Sequence, residues 1–123
     1  MDLPSKQKIL IIDDEARLRR SLLLILEVSH YQVTCAENAH DGLQLLQNST
    51  FDLLFLDVKL PDADGISLLP TILQMHPSLP VIILTAHGGQ AAEAEALRMG
   101  ARAYLIKPID PEDILARVEE ALH

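Results

Sequence analysis

Apolar residues in this chain come in short uninterrupted runs, each followed by a segment whose apolar positions recur every three or four residues. "KILII" (Lys8 to Ile12) precedes "DDEARLRRSLLLILEVS", where Leu18, Leu22, Ile25 and Leu26 fall at i, i+4, i+7 and i+8 and form one helical stripe. "QVTCA" leads to "NAHDGLQLLQNS", in which Asn38 is placed to cap a helix carrying Leu43 and Leu46. "LLFLD" passes through a turn marked by Pro and Gly to "ISLLPTILQM". "VIILT" (Val81 to Thr85) is followed by a break at Gly88-Gly89 and a helix around "AAEAEALRM", which Gly100 stops. "AYLIK" then gives way to "PEDILARVEEAL", with Pro111 in a first helical turn.

Five strand-helix units in succession predict a parallel sheet with helices on both faces, since each right-handed crossover returns the chain to start a parallel strand. Strands buried on both faces read as continuous apolar runs, as "ILII", "LLFL" and "VIIL" do. The chain of 123 residues is too short for an eight-unit barrel. The expected fold is therefore α/β, an open doubly wound five-stranded sheet, with residues 1–7 a short lead-in and 8–122 a single domain.

Composition narrows the function classes. Hydrophobic residues make up 49% of the chain, enough for a real core. Eighteen acids against ten bases give a net charge of −8, which disfavours nucleic acid or an anionic membrane as a direct ligand. Cations and basic protein surfaces remain as partners. The single Cys35 has no intrachain disulfide partner, and no segment has the roughly 20 apolar residues of a membrane span or a signal peptide's apolar core, so a cytoplasmic location is expected.

The chemistry gathers where strands end. In open α/β sheets ligands bind beyond the carboxyl ends of the strands. There the first strand delivers Asp13 and Asp14, the third Asp57, the fourth Thr85, and the fifth Lys107 followed by Pro108. Each alone has an ordinary explanation: Asp13-Asp14 as a helix cap, Thr85 as a strand end, Lys107 as a solvated ammonium. Together they do not. Three clustered carboxylates repel unless a cation joins them, and an all-oxygen site with room for water suits Mg²⁺. A metal with Lys107 and the Thr85 hydroxyl could hold a phosphoryl group on a carboxylate, and an Asp is an adequate nucleophile for phosphorus once charge is neutralised. Asp57, ending a buried run, is the rigidly aimed acceptor.

The set "KILIIDDE", "LLFLDVKLPDADG", "VIILTAHG" and "AYLIKP" resembles the receiver domain of bacterial two-component response regulators over nearly the whole chain. That resemblance implies a (βα)5 fold with flavodoxin-like strand order 2-1-3-4-5 and a phosphotransfer switch, in which a histidine kinase or histidine phosphotransfer protein donates a phosphoryl group to Asp57. It implies that Asp14 binds Mg²⁺ directly and Asp13 through water, with the Lys59 backbone carbonyl as a further ligand. Thr85 and Tyr104 would be the switch pair, the ring turning inward, while Lys107 contacts the phosphoryl oxygens and the Lys107-Pro108 bond is cis. Lys59 and His87 would tune the lifetime of the phosphoryl group. "LDVKLPDADG" and "LTAHG" look most like nitrogen-regulation-type enhancer-binding activators.

Two other classes compete. A haloacid-dehalogenase-like phosphatase would also use Asp57 as nucleophile, but it wants a second carboxylate two residues later, where this chain has Lys59. A flavodoxin-like electron carrier lacks support from 3% aromatics and a first loop without glycines. The resemblance further implies an output domain or effector and a homodimer through the fourth helix, fifth strand and fifth helix, with Ala91, Ala92, Leu97, Tyr104, Ile114 and Val118 available there. Leu23 and Leu24, beside the first helix's core stripe, form a candidate patch for docking the phosphodonor. The chain ends directly after the last helix, and a piece of a longer regulator is the favoured reading.

Overall fold

Strand runs without a polar break suit burial on both sheet faces, and the structure puts them there. A computed structural model describes residues 6–86 and 88–123. Its elements are β1 (Lys8–Ile12), α1 (Ala16–Val28), β2 (Gln32–Ala36), α2 (Ala39–Asn48), β3 (Leu53–Leu56), a 3-10 turn (Ile66–Leu68), α3 (Leu69–Met75), β4 (Val81–Thr85), α4 (Gln90–Arg98), β5 (Ala103–Ile106) and α5 (Pro111–Leu122). All pairings are parallel and the order is β2-β1-β3-β4-β5.

Because side chains alternate across a strand, the two faces of the sheet take different helices. Leu10, Ile12, Leu54, Leu56, Val81 and Ile83 belong to one layer, covered by Leu46 of α2, Ile72 of α3 and Ala96 of α4. Ile9, Ile11, Leu53, Phe55, Ile82 and Leu84 belong to the other, under Leu22 and Leu26 of α1 and Ile114 and Val118 of α5. The sheet is wound outward in both directions from β1, so a crevice opens beyond the carboxyl ends of β1 and β3.

Helix ends follow local chemistry with two departures from the sequence reading. Asn38 caps α2 as expected, its side chain accepting from the Asp41 N–H at 2.8 Å. Gly100, at φ 109°, ends α4 in a Schellman turn: its N–H reaches Leu97 O and the Ala101 N–H reaches Ala96 O. The first departure lies in "ISLLPTILQM", which is not one helix. A 3-10 turn precedes α3, and Pro70, with no N–H to give, sits in the first turn of that helix.

The second departure is the end of α1, which repeats the Schellman pattern without a glycine. The His30 N–H bonds Glu27 O, the Tyr31 N–H bonds Leu26 O, and His30 is held at φ 72°. A residue with a Cβ strains there. His30→Gly should stabilise the fold by roughly 0.5–1 kcal/mol, read as a rise in the urea midpoint at constant slope.

Candidate functional site

Two backbone bonds fix the carboxyl ends of the central strands. The Asp13 N–H donates to Ala36 O at 3.0 Å and the Asp57 N–H to Ile12 O at 2.9 Å, each carrying the ladder one residue past the apolar run. Asp13, Asp57 and Thr85 are the buried polar residues of the described chain, at 1%, 5% and 0% exposure. Asp14 stands exposed at the rim. One carboxylate oxygen from each of Asp13, Asp14 and Asp57 lies within 4.8 Å of the others.

Lys107, delivered by β5 and held by its N–H on Thr85 O at 2.8 Å, reaches across to this group. Its Nζ lies 2.8 Å from Asp13 Oδ2, 3.4 Å from Asp57 Oδ2 and 3.5 Å from Glu15 Oε2. The following bond to Pro108 is cis. One ammonium therefore serves three carboxylates. Burial alone would lower the Lys107 pKa, but the close ion pair with Asp13, with the charges of Asp57 and Glu15 behind it, outweighs burial and holds it above the usual lysine value. For Asp13 the balance is opposite: burial raises its pKa and the Asp57 charge adds to that, so Lys107 and the Glu15 N–H offset the rise without cancelling it. Lys107 gains from the pair while Asp13 bears the desolvation.

The residues present fit a divalent cation. Asp13 Oδ2 is a buried oxygen with no hydrogen-bond partner, its approach to Lys107 being an ion pair outside hydrogen-bond geometry. Its neighbours Asp14, Asp57 and Lys107 line a cleft of about 360 Å³, with Lys59 and Leu60 among others. A hard cation with oxygen ligands and retained water suits that arrangement.

Of the sequence-predicted residues, Asp13, Asp14, Asp57, Lys59 and Lys107 come together here. Lys59 is exposed at the cleft, with its N–H 3.4 Å from Asp57 Oδ1. Thr85 is buried at the end of β4, and Tyr104 is buried in β5. His87 lies outside the described residues. Asp13 and Asp14 do not cap α1 by side chain at its N-cap position, which Glu15 occupies. Instead Asp13 Oδ1 accepts the Glu15 N–H at 2.8 Å.

Sequence reasoning passed over two neighbours. Glu15, third acid of "DDE", joins the Lys107 cluster. Arg19 donates to Asp13 O at 2.8 Å and pairs with Glu37 at 3.6 Å, pinning the β1 end from α1. Adjacency to Asp14 was a usable signal for the first; nothing local marks the second.

The raised Asp13 pKa has a definite consequence for stability. A carboxyl whose folded pKa exceeds its unfolded value makes the folded state bind more protons, so in metal-free buffer its contribution falls as pH rises from about 3.8 through the raised value. Asp13→Asn, which keeps an acceptor for the Glu15 N–H, should therefore be more stable than wild type at neutral pH in EDTA, by about 1 kcal/mol after screening. Mg²⁺ should reverse the order: at about tenfold its dissociation constant it stabilises only the intact site, by roughly 1.4 kcal/mol. Urea unfolding in EDTA and in MgCl₂ measures both.

Comparison with known proteins agrees with this geometry. The family model described as "Response regulator receiver domain" matches residues 9–119. The chain is 35% identical to the transcriptional regulatory protein ResD of Bacillus subtilis (strain 168) over 122 residues, 99% of this chain and 50% of that protein. It spans about half the length of the curated relatives it matches. Among solved structures it is similar to a CheY-like receiver domain protein from Methanospirillum hungatei JF-1, with TM-score 0.92, 36% identity, and 96% and 94% of the two chains covered. A response regulator protein from Burkholderia pseudomallei, solved with a phosphorylated aspartic acid, calcium ion and citrate, matches with TM-score 0.86 and 30% identity over 96% and 67% of the chains. The phosphatase alternative finds no support among these matches.

Proposed function

Because this chain belongs to the response regulator receiver family, we propose that Asp57 is its phosphoacceptor and that a histidine kinase or histidine phosphotransfer protein is the donor. The observation that carries the reading is a carboxylate at 5% exposure, aimed from a rigid strand end, with Lys107 Nζ at 3.4 Å and two further carboxylates beside it. An Asp57 oxygen attacks phosphorus as the P–N bond to the donor histidine breaks, and the departing imidazole keeps the electron pair and takes a proton from water. Lys107 stabilises charge on the phosphoryl oxygens. Asp13, Asp14, Asp57 and the Lys59 backbone carbonyl are the ligand set we assign to Mg²⁺, which when bound supplies further neutralisation of that charge. The domain thus catalyses only its own phosphorylation and dephosphorylation.

Thr85 and Tyr104 are our switch pair. For donor docking the exposed apolar pair on α1 is Leu24 with Val28, at 67% and 71% exposure, while Leu23 is half-buried. On the α4-β5-α5 face Ala91, Leu97 and Ile106 are exposed and support a dimer or output contact, whereas Tyr104, Ile114 and Val118 belong to the core. The "LDVKLPDADG" and "LTAHG" loops support an origin in a nitrogen-regulation-type activator. The net charge of −8 supports leaving DNA contacts to a separate output domain. Among the described residues no helix is long and apolar enough to cross a membrane, and we place the domain in the cytoplasm. Acetyl phosphate with Mg²⁺ should add one base- and hydroxylamine-labile phosphoryl group by intact mass, suppressed by EDTA; persistent label on another residue would overturn the assignment.

A further inference from the structure

Asp62 stands five positions past Asp57 and takes no part in the chemistry described above, yet its carboxylate joins two elements far apart in sequence. Oδ1 accepts the Ala39 N–H at 2.8 Å and Oδ2 the His40 N–H at 3.0 Å, both at the start of α2. Asn38 takes the next donor, Asp41 N–H. All three first-turn donors of α2 are thus satisfied, two of them by a residue 22 and 23 positions away. A local cap ordinarily satisfies one of these donors and leaves the rest to water. The additional pair of bonds does something for the loop that supplies it.

That loop is seated on the core through Leu60, with Val58 and Ala63 packed beside it, and its own backbone bonds close it on itself. The Leu60 N–H bonds Ala63 O, the Gly65 N–H bonds Val58 O, and Lys59 bridges Asp64 in antiparallel fashion. Asp62 adds hydrogen bonds from its tip to the start of α2. Two bonds from one planar carboxylate to successive amides fix direction as well as distance, and they favour the ionised form, with the Ala39 and His40 N–H groups holding the Asp62 pKa below the usual range.

We infer that Asp62 is a positioning residue for the metal site: by clamping the loop tip to α2 it fixes the Lys59 backbone carbonyl and the strand end that presents Asp57. The inference rests on the proposed reading of Lys59 and Asp57. Asp62 touches neither metal nor phosphoryl group, so its loss acts on binding of the cation rather than on transfer once the cation is in place.

The test compares Asp62→Ala, Asp62→Asn and Asn38→Ala, the last removing a cap from the same helix end without touching the loop. Mg²⁺ is titrated without donor while backbone amide resonances are followed by NMR, and labelling by acetyl phosphate is then measured at saturating Mg²⁺. Partners that orient metal ligands typically contribute tenfold or more, and Asp62 is solvated and acts through backbone, so Asp62→Ala should raise the half-saturating Mg²⁺ concentration about fivefold and leave the saturated labelling rate within about twofold. Asp62→Asn, which keeps one acceptor oxygen, should fall between Asp62→Ala and wild type. Asn38→Ala should lower stability with Mg²⁺ half-saturation unchanged. Half-saturation in Asp62→Ala equal to wild type, or raised equally by Asn38→Ala, reduces Asp62 to a helix cap and overturns the inference. Absence of any saturable Mg²⁺ effect in wild type would bring down the site reading itself, and this inference with it.

Discussion

Asp57→Asn should take up no phosphoryl group from acetyl phosphate or phosphoramidate, under conditions where wild type is labelled to a large fraction. An amide oxygen is a poor nucleophile toward phosphorus and a weaker ligand for a hard cation, so both the acceptor and part of the metal site are lost. The fold should survive, because the substitution preserves shape and the Asp57 N–H keeps its bond to Ile12 O. It also removes one charge from a crowded edge, so the variant in EDTA should unfold at the same urea concentration as wild type or a higher one. Intact mass spectrometry measures the label and the unfolding curve guards against a trivial loss. A labelled, well-folded Asp57→Asn would move the acceptor to another residue.

Gly65→Ala should cost about 3 kcal/mol or more of stability and slow labelling at least tenfold, since the loop it distorts carries the site. The reason is room, not backbone freedom: Gly65 has φ −59°, an ordinary helical value. A Cβ at this position would run into the Asp57 carbonyl oxygen and stand 3.1 Å from Val58 Cα, both of them backbone. Neither swings aside as a side-chain tip does. Relief would break the Gly65 N–H bond to Val58 O and displace Asp57, one residue past the end of β3. Gly100→Ala is a contrasting case, because there the strain comes from φ 109° and lies far from the chemistry. Urea unfolding together with the labelling rate separates the two: both variants lose stability, and only Gly65→Ala loses labelling in proportion.

The sheet was legible because its signal is local. Runs such as "LLFL" and "VIIL" state that both faces are covered, and their alternation with helical stripes leaves few topologies. The convergence of Asp13, Asp14, Asp57, Thr85 and Lys107 followed, since each ends or adjoins a strand and strand ends share an edge. What escaped depends on pairs distant in sequence or on the direction of one side chain. Asp62 reads as a turn residue until α2 is placed beside it. Arg19 reads as part of a solvated basic face, yet it bonds Asp13 O. Leu23 and Leu24 are indistinguishable beside the stripe, and a helical step of one residue turns the first inward and leaves the second outside. Ile106 looks like a core position of β5 and is 51% exposed, because β5 is the edge strand.

The buried ring of Tyr104 makes the protein its own optical probe. The chain has no tryptophan and two tyrosines, so its tyrosine absorbance and emission come from Tyr31 and Tyr104 alone. Tyr31 precedes β2, at the amino-terminal border of the sheet, whereas the Tyr104 ring packs where a side chain on Gly88 would meet it. In a Tyr31→Phe background every remaining tyrosine photon originates from the buried β5 ring near Gly88. Emission recorded during titration with acyl phosphate would then follow the ring's environment in real time, without an extrinsic dye.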